Sequence, residues 1–117
     1  MKALFILNDP PYGSERVFNA LRFAQALQAQ EPQPEVTFFL QADAVIAAKA
    51  GQKTPDGSYN VERMLKRVLA ANGRVLVCGT CMDARGLDDA ELMPGARRST
   101  ITELAAATTA ADKVVVF

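Results

Sequence analysis

Apolar residues follow two alternating rhythms along this chain: short unbroken runs bounded by turn formers, and longer stretches in which they recur every three or four positions. Lys2 to Leu7 (KALFIL), Val36 to Leu40 (VTFFL), Arg74 to Cys78 (RVLVC) and Lys113 to Phe117 (KVVVF) are of the first kind. A strand with one wet face would alternate apolar and polar residues, so unbroken runs read as strands covered on both faces.

The second rhythm fills the gaps. After Gly13, Ser14 stands as an N-cap with Glu15 in the first turn, and Val17, Ala20, Leu21, Ala24 and Leu27 recur at helical spacing over about four turns. Glu31-Pro32-Gln33-Pro34 ends that helix, because proline removes a donor and restricts its predecessor. Asp43 opens a short alanine-rich helix to Ala50, Gly51 closes it, and Gln52 to Ser58 reads as a surface loop. Asn60 caps a further helix with one apolar stripe of Val61, Met64, Leu65, Val68 and Leu69, stopped by Asn72-Gly73. Glu91 to Arg98 holds the turn signal Pro94-Gly95 and reads as a short connection. Thr100 with Glu103 matches a capping box for a last helix to about Ala110. The alternation predicts an α/β three-layer sandwich: a mostly parallel sheet flanked by helices on both faces, in one domain over residues 1–117.

Composition narrows the function. Half the residues are hydrophobic and 22% are charged, well away from the regime of disorder. Thirteen basic residues balance thirteen acidic ones, so the field that would hold a phosphate backbone is missing and nucleic acid is not the expected partner. The apolar run at the start meets Asn8-Asp9-Pro10-Pro11 before it reaches the length of a signal-peptide core, and no window is long and apolar enough to span a bilayer. A cytoplasmic location without membrane contact is therefore expected.

The chemistry concentrates in Cys78-Gly79-Thr80-Cys81. In open parallel sheets, ligands bind where the strands deliver their carboxyl ends, and Cys78 stands at such an end. If Gly79 to Ala84 turns into a helix, unpaired amides face the Cys78 sulfur and favour its thiolate, with Arg85 adding positive charge. A thiolate attacks disulfides and persulfides, whereas acyl hydrolysis would want a histidine partner, and the chain has none. Two thiolates without histidine also leave a tetrahedral zinc site half empty, so no metal or cofactor is expected. A second candidate is the loop Asn8 to Gly13, which enters a helix at Ser14. Asn8, Tyr12, Gly13 and Ser14 suit an anion there, and Asn8 and Tyr12 reach toward Cys78 only if their strands are neighbours. Free cysteine is also a common apolar filler, and Asn8 to Gly13 is also a plain tight turn.

Taken together, Asn8-Asp9-Pro10-Pro11-Tyr12-Gly13-Ser14-Glu15, Gly51-Gln52-Lys53, Cys78-Gly79-Thr80-Cys81 with Arg85-Gly86, and Ala111 to Phe117 resemble the DsrE/DsrF-like family, closest to its YchN-type branch. The resemblance runs over essentially the whole chain. It implies a five-stranded central sheet, a cytoplasmic homohexamer built from two trimers, and reactive cysteines near subunit contacts. It also implies kinship with sulfur-relay proteins such as TusD and DsrE, in which one cysteine carries a persulfide from a donor to an acceptor protein. Counted back from Arg85-Gly86, Cys78 falls at that cysteine's place. The expected roles are Cys78 as acceptor thiolate, Cys81 as resolving thiol, and Arg85 or backbone amides lowering the thiol pKa. A non-catalytic oligomeric binding module and a dithiol redox protein are the alternatives.

Overall fold

The four apolar runs become strands, and a fifth strand lies where the pattern predicts only a connection. The computed structural model describes every residue from Met1 to Phe117. Strands β1 (Lys2–Leu7), β2 (Glu35–Leu40), β3 (Arg74–Cys78), β4 (Ala96–Ser99) and β5 (Lys113–Val116) form one parallel sheet in the order β4-β3-β2-β1-β5. The helices are α1 (Arg16–Gln28), α2 (Val61–Ala70), α3 (Gly79–Ala84) and α4 (Ile101–Ala110), with tighter 3₁₀ turns at Ala42–Ala48, Pro55–Gly57 and Asp89–Glu91.

Register and pleat decide what faces what. Phe5 pairs with Phe38 and Phe38 with Val75, so these three share one face with Leu7, Leu40 and Val77, while Ile6, Phe39, Leu76 and Cys78 share the other. The path β1 to β4 steps across the sheet in one direction, and right-handed crossovers then set the intervening helices on a single face. There Phe23 of α1 meets the Phe5 ring edge-on at 5.6 Å, and Phe5 stacks on Phe38 at 4.9 Å. The return to β5 beyond β1 sends α4 to the opposite face, where Glu103 grips Arg97 and Ser99 of β4. No helix is long and apolar enough to cross a membrane.

Phe38 lies in the middle strand with no exposed surface, inside a cluster of 27 buried apolar residues. Phe38→Ala is therefore expected to cost about 3–5 kcal/mol through the cavity it leaves, read as a lowered midpoint in urea denaturation.

Three local expectations need correction. Ser14 stands one residue before the cap of α1: the helix begins at Arg16 with Glu15 at the cap, and the Ser14 hydroxyl accepts the Arg16 N–H at 3.4 Å while donating to Asp9 Oδ2 at 3.0 Å. The alanine-rich segment is not an α-helix but 3₁₀ turns, entered through Ala42 at a φ of 51°. Residues 96–99 are not a connection but the edge strand β4, paired along Cys78 to Ser99. By contrast, Asn60 caps α2 by accepting the Arg63 N–H at 3.0 Å. Thr100 caps α4 the same way through Glu103 N–H, although the Glu103 carboxylate turns to Arg97 and Ser99 instead of closing the box.

Candidate functional site

Cys78 ends β3 and caps α3, which puts Cys81 one turn further along, on the same pocket. The missing side chain at residue 79 leaves room for Arg98 to approach. A Cβ there would lie 2.8 Å from Arg98 Nη1, which uses this approach to donate to the Gly79 carbonyl at 3.1 Å. Arg98 also binds Asp83 at 3.0 Å and Asp89 at 2.6 Å, so it pairs with two carboxylates of the acidic stretch after Cys81 and ties α3 to β4. The pocket holds about 490 Å³ and is lined by Gln41, Cys78, Thr80, Cys81, Thr100 and Ile101, among others. Both cysteines are free thiols; Cys78 is 7% exposed and Cys81 half-buried.

Electrostatically, Cys78 departs from expectation. Burial first, and then its neighbour Cys81, push its thiol pKa up; the backbone N–H groups of Cys81 and Thr80 pull the other way without closing a cap hydrogen bond. The helix start therefore softens the shift and does not reverse it. The alkylation rate of Cys78 is expected to be slow near neutrality and to rise about tenfold per pH unit, with its midpoint above that of an ordinary thiol. Quenched iodoacetamide labelling read by peptide mass spectrometry checks this, and a midpoint below the ordinary thiol value contradicts it. Stability shares the sign. The unfolded chain loses this proton first, so what Cys78 adds to stability is whole below the unfolded thiol value and fades as pH rises through the native one.

Arg85, expected with the backbone amides to lower the thiol pKa, is engaged by other groups. Its Nε and Nη2 bind Asp43 Oδ1, both at 2.9 Å, and its Nη1 donates to the Cys81 carbonyl at 3.2 Å. Beside that pair, the Ala42 N–H donates to the Cys81 sulfur at 3.2 Å. Sequence reasoning missed Ala42 and Asp43, and nothing local in the chain marks them, because a backbone amide 39 residues away leaves no trace in composition.

The first loop is placed elsewhere. β2 separates β1 from β3, so Asn8 and Tyr12 are not beside Cys78. The Tyr12 hydroxyl donates to Gln52 Oε1 at 2.6 Å and accepts the Val61 N–H at 3.2 Å, which fastens the loop to the start of α2. Asn8 donates to the Phe117 carbonyl and accepts from Gln41 Nε2 at 2.9 Å, so it touches the cysteine pocket only through Gln41. Gly13, at a φ of 108°, and Ser14 shape the turn. Behind Ser99, which lines the pocket, the guanidinium of Arg97, then the Ser99 hydroxyl, hold the Glu103 carboxyl at a pKa of about 2, which anchors the start of α4 beside Cys78. A second hollow of about 330 Å³ opens at the opposite ends of the strands, lined by Lys2, Thr37, Arg74 and Ala107, far from either thiol.

Comparisons with known proteins agree with this fold. Protein YchN of Escherichia coli (strain K12) is 44% identical over 116 residues, covering 99% of this chain and 98% of that protein. The crystal structure of the E. coli ychN protein superposes with a TM-score of 0.94 over 100% of this chain and 99% of that one. Sulfurtransferase TusD of Cronobacter sakazakii is a more distant relative, 28% identical over 129 residues with both chains fully covered. The model of the DsrE/DsrF-like family matches residues 1–117, and the chain belongs to that family.

Proposed function

We propose that this protein is a carrier of sulfane sulfur: Cys78 accepts a sulfur atom as a persulfide, and Cys81 is its resolving thiol. One observation supports this above all. The Cys78 sulfur lies at the carboxyl end of a parallel strand, faced by two backbone amides, in a pocket it shares with a second free thiol. A named sulfurtransferase among the relatives points the same way.

The chemistry needs no cofactor. The Cys78 thiolate attacks the outer sulfur of a donor persulfide, the donor thiolate leaves, and Cys78 holds the sulfur. Cys81 then attacks Cys78 Sγ, so a disulfide forms and hydrosulfide departs. Sulfur donor and acceptor proteins are the implied partners, and the place of action is the cytoplasm. The single DsrE-like domain, residues 1–117, works as a homohexamer of two trimers, for which the uncovered apolar surface of α4 and β5 provides the contact.

Incubation with a persulfide donor, followed by intact mass spectrometry and sulfide assay, tests the reading. The expected product is the protein plus one sulfur atom at Cys78, or, after discharge, one equivalent of sulfide with a Cys78–Cys81 disulfide. Neither product would overturn it. The burial of Cys78 favours a second reading, a non-catalytic oligomeric module in which this thiol is filler, and that reading requires Cys78 to resist alkylation at every pH at which the fold survives.

A further inference from the structure

Ala42 adopts a left-handed backbone at φ 51°, a conformation that costs a residue with a Cβ roughly 1–2 kcal/mol. Something must hold it there, and two contacts do. Its own N–H meets the Cys81 sulfur at 3.2 Å, and the next residue, Asp43, is bound by Arg85, the residue that follows α3. Arg85 closes the loop by donating to the carbonyl of Cys81 itself. The turn that carries the thiol and the turn that carries the amide are thus clasped together by one guanidinium. Asp56, Tyr59 and Asn72 also take a positive φ, and what sets Ala42 apart is that its amide meets a thiol sulfur.

Resting on the sulfur-carrier reading, we propose that Asp43 and Arg85 are positioning residues for Cys81: their ion pair holds the left-handed Ala42 amide on the Cys81 sulfur and aims its anion at a persulfide on Cys78. The step they serve is balanced within the protein. Cys81–S⁻ attacks Cys78 Sγ, the Sγ–Sγ bond forms, the bond from Cys78 Sγ to the outer sulfur breaks, and that sulfur leaves with the electron pair as HS⁻. The two cysteine sulfurs are oxidised to a disulfide and the sulfane sulfur is reduced, so no outside oxidant is needed. The hydrogen bond from Ala42 strengthens when its acceptor is charged. The charged groups on this turn are Asp43 from the 42–48 segment, Arg85 just past α3, and Asp83 of α3, the last paired with Arg98 of β4; the titratable neighbour is Cys78.

The test separates this step from sulfur loading. Asp43→Asn and Arg85→Ala are loaded from a persulfide donor beside the wild type, and the release of sulfide is timed. Uptake is expected to match the wild type while release slows about tenfold, the rate factor that one lost hydrogen bond to a charged sulfur makes. Arg85→Lys, which keeps the charge but not the planar fork, should recover part of the rate. In unloaded protein, the Ala42 amide proton resonance should move on Cys81→Ser with Arg85 present and stay in place once Arg85→Ala is added. Unchanged release with an unchanged Ala42 response would overturn the assignment, as would slower release with the Ala42 response intact. Failure of the wild type to take up sulfur would instead strike the carrier reading and leave the clasp standing.

Discussion

Cys78→Ser is expected to take up no sulfur from a persulfide donor, while Cys81→Ser takes it up and keeps it. The contrast follows from depth and order. Cys78, 7% exposed and faced by the amides of α3, is the sulfur on which an added atom is sheltered from bulk thiols. Cys81 shares its pocket, and an intramolecular thiolate competes with dissolved thiols at a high effective concentration. Removing it should slow sulfide release by about a hundredfold or more, because discharge then waits for a thiol from solution. Serine nearly preserves the volume at both positions, so the comparison reads chemistry and not folding. Intact mass gives the uptake, and a time course of released sulfide gives the discharge. Equal uptake by Cys78→Ser and wild type would remove residue 78 from the mechanism. A disulfide that forms and is reduced reversibly, without sulfur uptake in any variant, would instead describe a dithiol redox protein.

Val116→Asp is expected to break the assembly while leaving the subunit folded. Five strands at about 4.8 Å spacing make a sheet about 24 Å wide, whereas α4, with ten residues, is about 15 Å long and 10 Å across. One such helix cannot cover its face. No residue of α4 is buried, and Ile101, Val114 and Val116 are 65%, 43% and 64% exposed. Apolar surface left open in this way marks an interaction site. A carboxylate at residue 116 would be buried without a partner in each copy, at about 3 kcal/mol or more each time, while in the lone subunit it sits in water. Light scattering should show the wild type as a hexamer and the variant as a smaller species with an unchanged circular dichroism spectrum. A wild type that scatters as a monomer at tens of micromolar contradicts the assembly.

The fold was legible wherever burial on both sides forces an unbroken apolar run, which is why β1, β2, β3 and β5 stand out in the sequence. β4 escaped because it is an edge strand of four residues, Ala96-Arg97-Arg98-Ser99, whose two arginines serve ion pairs and not the core. The 42–48 segment has helical composition, yet the left-handed entry at Ala42 and the exit into a bridge between Lys49 and Leu92 leave room only for 3₁₀ turns. The cysteine turn was legible because a CxxC directly after a buried strand locates itself. The company it keeps was not: Arg85 finds Asp43 across 42 residues, and Tyr12 finds Gln52 across 40. Such pairings depend on strand order, which local patterns do not carry.

Ile101 belongs to two surfaces at once. It forms the lip of the pocket over Cys78 and Cys81, and it is among the most exposed apolar side chains of the chain. If the proposed assembly forms over α4, a neighbouring copy would roof the pocket, and its departure would open it. Subunit exchange and access to the two thiols would then share one door, and by mass action the abundance of the protein would govern how readily that door is passed.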